Sequence, residues 1–286
     1  MEPTNPKVAV VYLIWAPYGV ELLQNFVQSY LQYSSGNDHL LVFLFNGFSG
    51  DKEVAAFKEV VDIHPLNYRA LFSRGGQDLE VYQWAATQLD MPFILFLNSF
   101  SVILGPCWLS ILMGPMKEEL VGVVAPTGSY ESYYQSVVQN TSWQWDQTLS
   151  WNENFRKYRL LLKATCYWRF LFPPFPNPHF RTSSFLIRRQ LFLDLRIGSP
   201  GNKFKTYLLE SGHGSLTNQA LRKGFRILIA GKDGRCFEMD SWGSSEIFWQ
   251  GNQGNLLISD KQSKAYDQAE KSVRALLHYR AWGNLE

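Results

Sequence analysis

The chain has 286 residues, 46% hydrophobic and 15% aromatic, enough to bury one large core or one core with an appendage. Twenty-seven Lys and Arg against 25 Asp and Glu leave a formal net charge of +2. That balance excludes the global positive field expected of a nucleic-acid-binding protein and leaves room for a local anion site. Cys107, Cys166 and Cys236 are odd in number, widely spaced and without a CxxC pair, so neither a disulfide framework nor a zinc site is expected.

The opening MEPTNPKVAVVYLIW lacks a basic n-region and a small-residue cleavage site, and no apolar run approaches the roughly 18 residues that span a bilayer. A cytoplasmic protein is expected, neither exported nor membrane-spanning, with peripheral membrane association left open. In that compartment the sequon at Asn140 reads as chance. The first 125 residues alternate short β-rich runs with helical patterns, as βαβ units do. Residues 7–15 read as a buried strand. Residues 20–33 read as a helix with Leu22, Leu23, Phe26, Val27, Tyr30 and Leu31 on one face. A second buried strand is expected at 40–46, then a helix from KEVAAFKEVV and a short edge segment from DIHPLN. A Gly-rich turn, SRGGQD, precedes a helix at 79–89, and strands follow at 92–98 and 119–126. Runs apolar on both faces belong to strands covered by helices on both sides, so the sheet is expected to be mainly parallel.

In such sheets ligands sit beyond the carboxyl ends of the strands. Those ends are residues 15–19, 46–50, 98–101 and 125–132, and three of the four carry Gly or small hydroxyl residues that permit close backbone approach. Each loop taken alone is equally well a plain turn. The second half is aromatic-rich, with Trp143, Trp145, Trp151, Tyr158, Tyr167 and Trp168, and a helix is expected from Trp151 to Phe170. After the Pro-punctuated FPPFPNPHF, a strand in SSFLIRR leads into a helix start. A capped helix then ends near Gly224, a strand lies in FRILIAGKDG, and one C-terminal helix is expected at 264–283. No repeat, low-complexity stretch or linker divides the chain, so one domain is expected over 1–286.

The βαβ half, the strand ending FLNSFS, the loop GVVAPTGSYES, and the segments HFRTSSFLIRRQLF and ESGHGSLTNQALRKGFRILIAGKDG together resemble a GT-A-type glycosyltransferase of the family 2-like kind. The resemblance covers roughly residues 7–283 but rests on no single diagnostic motif. It implies an α/β, GT-A-like fold with a nucleotide-binding half at 1–125 and an acceptor-binding, catalytic half at 126–286. It also implies transfer of a sugar from a nucleotide-sugar to a saccharide or other hydroxyl acceptor, with inversion. Base and ribose would lie over Ala16, Pro17, Tyr18 and Asn46, with Asp78 near the nucleotide. A turn Tyr and an N-cap Asp are the plainer readings of Tyr18 and Asp78.

Many members end the central strand in Asp-x-Asp, whose carboxylates suit Mg²⁺ or Mn²⁺. Here Asn98, Ser99 and Phe100 stand in its place, followed by Ser101, so either the metal is held mainly by substrate or another residue, or none is used. A metal-free site would need cations, and Arg181 beside His179 is preferred over Lys203 and over the pair Arg188 and Arg189, which reads first as a solvated face. Glu210 matches the position of the catalytic base, with His213 three residues on. A capping carboxylate for the helix near 215–221 and a surface His are the alternatives. His179, Trp242 and Trp249 are the acceptor candidates, with core packing the alternative for the two Trp residues, and Asp233 reads as a turn residue. A non-catalytic carbohydrate- or nucleotide-binding protein on the same fold remains the second reading, and the absence of GxSxG argues against an α/β hydrolase.

Overall fold

A strand apolar on both faces has to lie between two helical layers, and the first of them, Val8–Trp15 (β1), is buried along nearly its whole length. The computed structural model describes residues 7–135, 145–198 and 201–283; Asn140 and Trp143 lie outside them. The further strands are Leu40–Asn46 (β2), Tyr68–Phe72 (β3), Phe93–Leu97 (β4), Val102–Ile103 (β5), Val121–Ala125 (β6) and Gly128–Ser129 (β7). They continue with His179–Phe180 (β8), Ser184–Arg188 (β9), Arg226–Ala230 (β10), Cys236–Phe237 (β11) and Ile258–Ser259 (β12).

Eight strands drawn from both halves of the chain form one sheet in the order β11, β10, β6, β9, β4, β1, β2, β3. β1 runs parallel to β2 and β4, β2 to β3, and β10 to β6, while β9 lies antiparallel between β4 and β6. The α/β fold with a mainly parallel sheet is the observed one. Alternate residues of β1 feed two cores: Ala9, Val11 and Leu13 pack with the helix Asp78–Thr87 and the C-terminal segment. Val8, Val10, Tyr12 and Ile14 pack under the helices Glu21–Gln32, Asp51–Asp62 and Trp108–Met113.

Two expected elements differ. The edge strand is Tyr68–Phe72, one step beyond residues 62–67, because His64 and Leu66 close a turn through hydrogen bonds to Val61 and His64 carbonyls. The single C-terminal helix is two, Lys261–Gln268 and Lys271–Trp282, separated by extended Ala269 and Glu270. The first begins earlier than expected because Asp260 and Ser263 close a capping box.

Two pairings fix the cleft. An antiparallel strand puts its amino end at the carboxyl ends of its parallel neighbours, so β9 delivers residues 181–183 to the end of β4. There Leu97 faces Ser184, and the Asn98 N–H donates to the Ser183 carbonyl at 2.9 Å. β12 pairs antiparallel with β5 and brings Asp260 and the helix it caps to the same place.

Candidate active site

The carboxyl ends of β1 and β4, the amino end of β9 and the start of the helix Lys261–Gln268 enclose a cleft of about 710 Å³. Trp15, Tyr18 and Phe100 form one rim, with Gly76, Gln77 and Asp78 beside them. Arg181, Thr182, Ser183 and Asp260 line the cleft between this rim and a wall built by Glu131, Tyr133, His179, Lys203, Tyr207 and Glu210. Tyr18 is half exposed, and its ring packs 4.8 Å from that of Phe100, leaving an aromatic edge open to a planar ligand. Ala16 and Pro17 make the short 3-10 turn that carries Tyr18 to the rim.

The step after β4 is internally satisfied. Asn98 Oδ1 accepts from the Phe100 N–H at 3.0 Å and from Ser101 Oγ at 3.2 Å, and Ser99 Oγ donates to the Leu13 carbonyl at 2.8 Å. Ser99 and Ser101 are buried. A hard divalent ion wants several free carboxylate or carbonyl oxygens. These side chains are spent on the turn, and no group of three His, Cys, Asp or Glu able to hold a metal occurs among the described residues. The residues present therefore do not fit a protein-held Mg²⁺ or Mn²⁺ at this step. Asn46 is likewise sealed: it donates to the Gly76 carbonyl and accepts from Ser73 Oγ, so it braces the loop before Asp78 and does not reach a ligand.

Positive charge gathers in the same cleft, from Arg181, Lys203 and Lys261. Arg181 Nη2 lies 3.4 Å from Asp260 Oδ2, its guanidinium stacks over the Phe248 ring at 4.3 Å, and its buried Nε–H has no hydrogen-bond partner among the described residues. Burial alone would raise the Asp260 carboxyl. The Arg181 guanidinium and the Ser263 N–H outweigh it and hold Asp260 below the usual carboxylate range. Lys261, the next residue, reaches over the Phe100 ring at 5.4 Å and is exposed to the cleft. Lys261 and Asp260 were not legible as site residues, although ISDKQS carries the signature of a helix start.

Glu210 sits in the last turn of the helix Lys203–Ser211, not in a helix-opening loop, and Ser215 caps the following helix without it. Its carboxylate accepts a short hydrogen bond from Thr182 Oγ1. Burial raises its pKa, with the Thr182 bond, Arg181 and Lys203 pulling the other way. Asp78 is the first residue of its helix, with Gln77 in the cap position, and its side chain is solvent-reachable inside the concavity. Desolvation and the charge of Glu210 push Asp78 up to about 6.

Two carboxyls whose folded pKa values are raised bind protons more tightly folded than unfolded, so both weaken stability as pH climbs, Asp78 between about 4 and about 6. Asp78→Asn is therefore expected to match the wild type near pH 4 and to exceed it by about 1 kcal/mol at pH 7, a figure reduced for the solvent that reaches the carboxyl. Urea titrations at several pH values check this.

His179 is buried with Nδ1 2.8 Å from the Asn177 carbonyl, which can only accept, so Nδ1 carries the proton and Nε2 keeps its lone pair. Burial lowers its pKa and keeps the ring neutral. Glu131 accepts from Arg280 at 2.6 Å, and the Tyr133 and Tyr207 rings lie 5.1 Å apart beside the ammonium of Lys203. Glu131 falls in the 125–132 strand end expected to face a ligand, whereas Tyr133, Tyr207 and Arg280 come from segments with no pattern to single them out.

Several expected residues lie elsewhere. His213 is exposed in the turn after Glu210, and its carbonyl, not its ring, is engaged, accepting from Asn218 and Arg222. Trp242 is fully buried against Gly128 and Tyr130 and donates to the Phe237 carbonyl, so it cannot stack on a sugar. Trp249 touches the cleft but is 4% exposed, stacked on Phe248 and bonded to the Gln262 carbonyl. Its segment is a braced part of the core, tied by buried Gln250, Gln253 and Asn255. Arg188 donates to the carbonyls of Val121, Met116 and Glu118, and Arg189 to that of Ala86, so both are structural. Asp233 holds a turn with Arg235.

No protein-family model matches the chain, and no curated protein matches it significantly. Among solved structures it is similar to a mannosyltransferase from Pyrobaculum calidifontis in complex with GDP-Man and Mn²⁺, at 13% identity and a TM-score of 0.47. That match covers 96% of this chain and 70% of the other. It is also similar to glucosyl-3-phosphoglycerate synthase from Mycobacterium tuberculosis in complex with Mn²⁺, UDP and phosphoglyceric acid, at 15% identity and a TM-score of 0.38. The match there covers 65% of this chain and 57% of that one.

Proposed function

We propose that this protein is a glycosyltransferase that moves a sugar from a nucleotide-sugar to an acceptor hydroxyl, with inversion and without a protein-held metal ion. The observation that carries the reading is the placement of a half-buried Glu210, its pKa raised by desolvation, in the same cleft as Arg181, Lys203 and Lys261. A diphosphate needs cations or N–H donors, and a hydroxyl nucleophile needs a base. This cleft offers both.

In this reading the nucleotide lies along Tyr18, Phe100 and Asp78, and its diphosphate meets Lys261 and the cleft-facing edge of the Arg181 guanidinium. The acceptor enters between Tyr133, His179 and Tyr207. Its hydroxyl oxygen attacks the anomeric carbon, the bond from that carbon to the diphosphate oxygen breaks, and the proton passes to Glu210. The nucleoside diphosphate leaves with the bonding pair, and Arg181 and Lys261 balance the charge that develops on it. Burial makes Glu210 more basic than an ordinary carboxylate, which suits it to accept a proton.

Thermal-shift titration with UDP-, GDP- and dTDP-sugars, in EDTA and in Mg²⁺ or Mn²⁺, tests donor binding. One nucleotide class is expected to stabilise the protein equally in EDTA. Lys261→Ala, at an exposed side chain, is expected to weaken that donor roughly tenfold with little change in stability. Stabilisation that requires the metal would overturn the metal-free part of the reading. A donor shift without turnover would favour the non-catalytic binding protein.

A further inference from the structure

The helix Trp151–Leu171 has two unlike faces. Inward, Trp168 stacks on Tyr133 at 4.8 Å, Leu161 is buried, and Asn154 is buried with its amide tied to the carbonyls of Asp146, Leu149 and Ser150. A capping box between Ser150 and Glu153 fixes its start. Outward, Trp151, Phe155 and Phe170 are 78%, 68% and 81% exposed, with Leu162 and Cys166 also exposed. At 100° per residue these five fall within an arc of about 100°, a ridge along about 30 Å of helix that Arg159 and Arg169 share. Trp145 extends it, half exposed and 4.9 Å from the Trp151 ring. Among the described residues nothing covers this ridge.

The charge on the helix identifies what would. Residues 151–171 hold five basic residues against one acidic, more positive charge than the net +2 of the whole chain, so the remainder is on balance acidic. Arg156, Arg159 and Arg169 form no salt bridge among the described residues. A second copy docking ridge to ridge would set like charges together. A folded partner would need a groove matched to a convex helix. A planar, deformable anionic surface satisfies both the aromatic side chains and the guanidinium groups set among and beside them, whose long stems let the charge reach headgroups while the rings enter the interface.

We infer that Trp151–Leu171 docks the protein on an anionic phospholipid bilayer, lying in the plane of the interface. No helix of the described residues is long and apolar enough to cross a membrane, so this is surface attachment. Because the opposite face of the helix packs on Tyr133 of the cleft wall, docking sets the cleft beside the bilayer. The inference stands apart from the glycosyl-transfer reading, since it concerns residues outside the proposed chemistry.

The test is co-sedimentation of the full chain with vesicles of phosphatidylcholine alone or mixed with phosphatidylglycerol. Binding is expected only to the anionic vesicles and is expected to fall in about 0.5 M NaCl. The triple variant W151S/F155S/F170S and the charge variant R156Q/R159Q/R169Q should each bind roughly tenfold or more weakly. Both should keep the wild-type thermal melt and donor shift. Wild-type indifference to anionic lipid, undiminished binding by both variants, or a ridge-dependent dimer seen by light scattering would overturn the inference.

Discussion

Glu210→Gln is expected to lower kcat by roughly 10³-fold while leaving the thermal shift given by the donor unchanged. The amide keeps the oxygen that accepts from Thr182 and fills the same volume, but it cannot take a proton. Because burial raises the Glu210 pKa, the wild-type rate should climb with pH along an acid limb displaced above the ordinary carboxylate range. That limb should vanish in the variant. The variant should also be more stable at neutral pH, where the native Glu210 carries a poorly solvated charge, and should lose that advantage as pH falls toward 4. Steady-state rates across pH, set beside urea titrations, separate a lost base from a damaged fold. An unchanged kcat would remove Glu210 from the chemistry.

The second large effect concerns Arg181, whose pairing with Asp260 is the most enclosed ion pair among the described residues. Arg181→Met keeps the apolar stem against Phe248 but removes the guanidinium partner of the Asp260 carboxylate, which is 4% exposed and still accepts from the N–H groups of Gln262 and Ser263. Breaking one side of a buried pair costs about 3 kcal/mol, or roughly 6 °C in Tm for a chain of this size. Asp260 is held below its usual range in the wild type, so its contribution is present at neutral pH and lost as pH falls through the folded pKa. The gap between wild type and variant should therefore close below about pH 4. Adding Asp260→Asn, which keeps the cap and removes the charge, should restore most of the stability. Donor affinity should stay low in the double variant if the guanidinium also serves the diphosphate. Recovery of donor affinity along with stability would assign Arg181 to the fold alone.

The fold was legible because apolar runs such as LLVFLFN and PFILFL leave a strand no choice but a doubly covered sheet. Register and direction were not. That β9 runs antiparallel between β4 and β6 is decided by how far the chain travels between them, and no local pattern encodes it. The antiparallel insertion brings Arg181 and Thr182 to Asn98, so the sequence indicated the residues more clearly than their neighbours.

Glu210, Asp78, His179 and Arg181 line the cleft; Trp242 and His213 do not, because aromatic or imidazole chemistry says nothing about whether a side chain faces a cavity, a core or water. Lys261 was missed for the converse reason. A lysine one residue past a helix cap looks solvated in sequence, and it is the β5 and β12 pairing that carries it into the cleft, over the Phe100 ring.

The central claim is that this cleft breaks the bond between a sugar and a nucleoside diphosphate without a metal held by the protein. The most direct test is release of nucleoside diphosphate from UDP-, GDP- and dTDP-sugars, measured with and without EDTA for the wild type and Glu210→Gln. The expected result is release from one donor class that persists in EDTA and falls to background in the variant. Release from none of the donors, or release that EDTA abolishes, would contradict it.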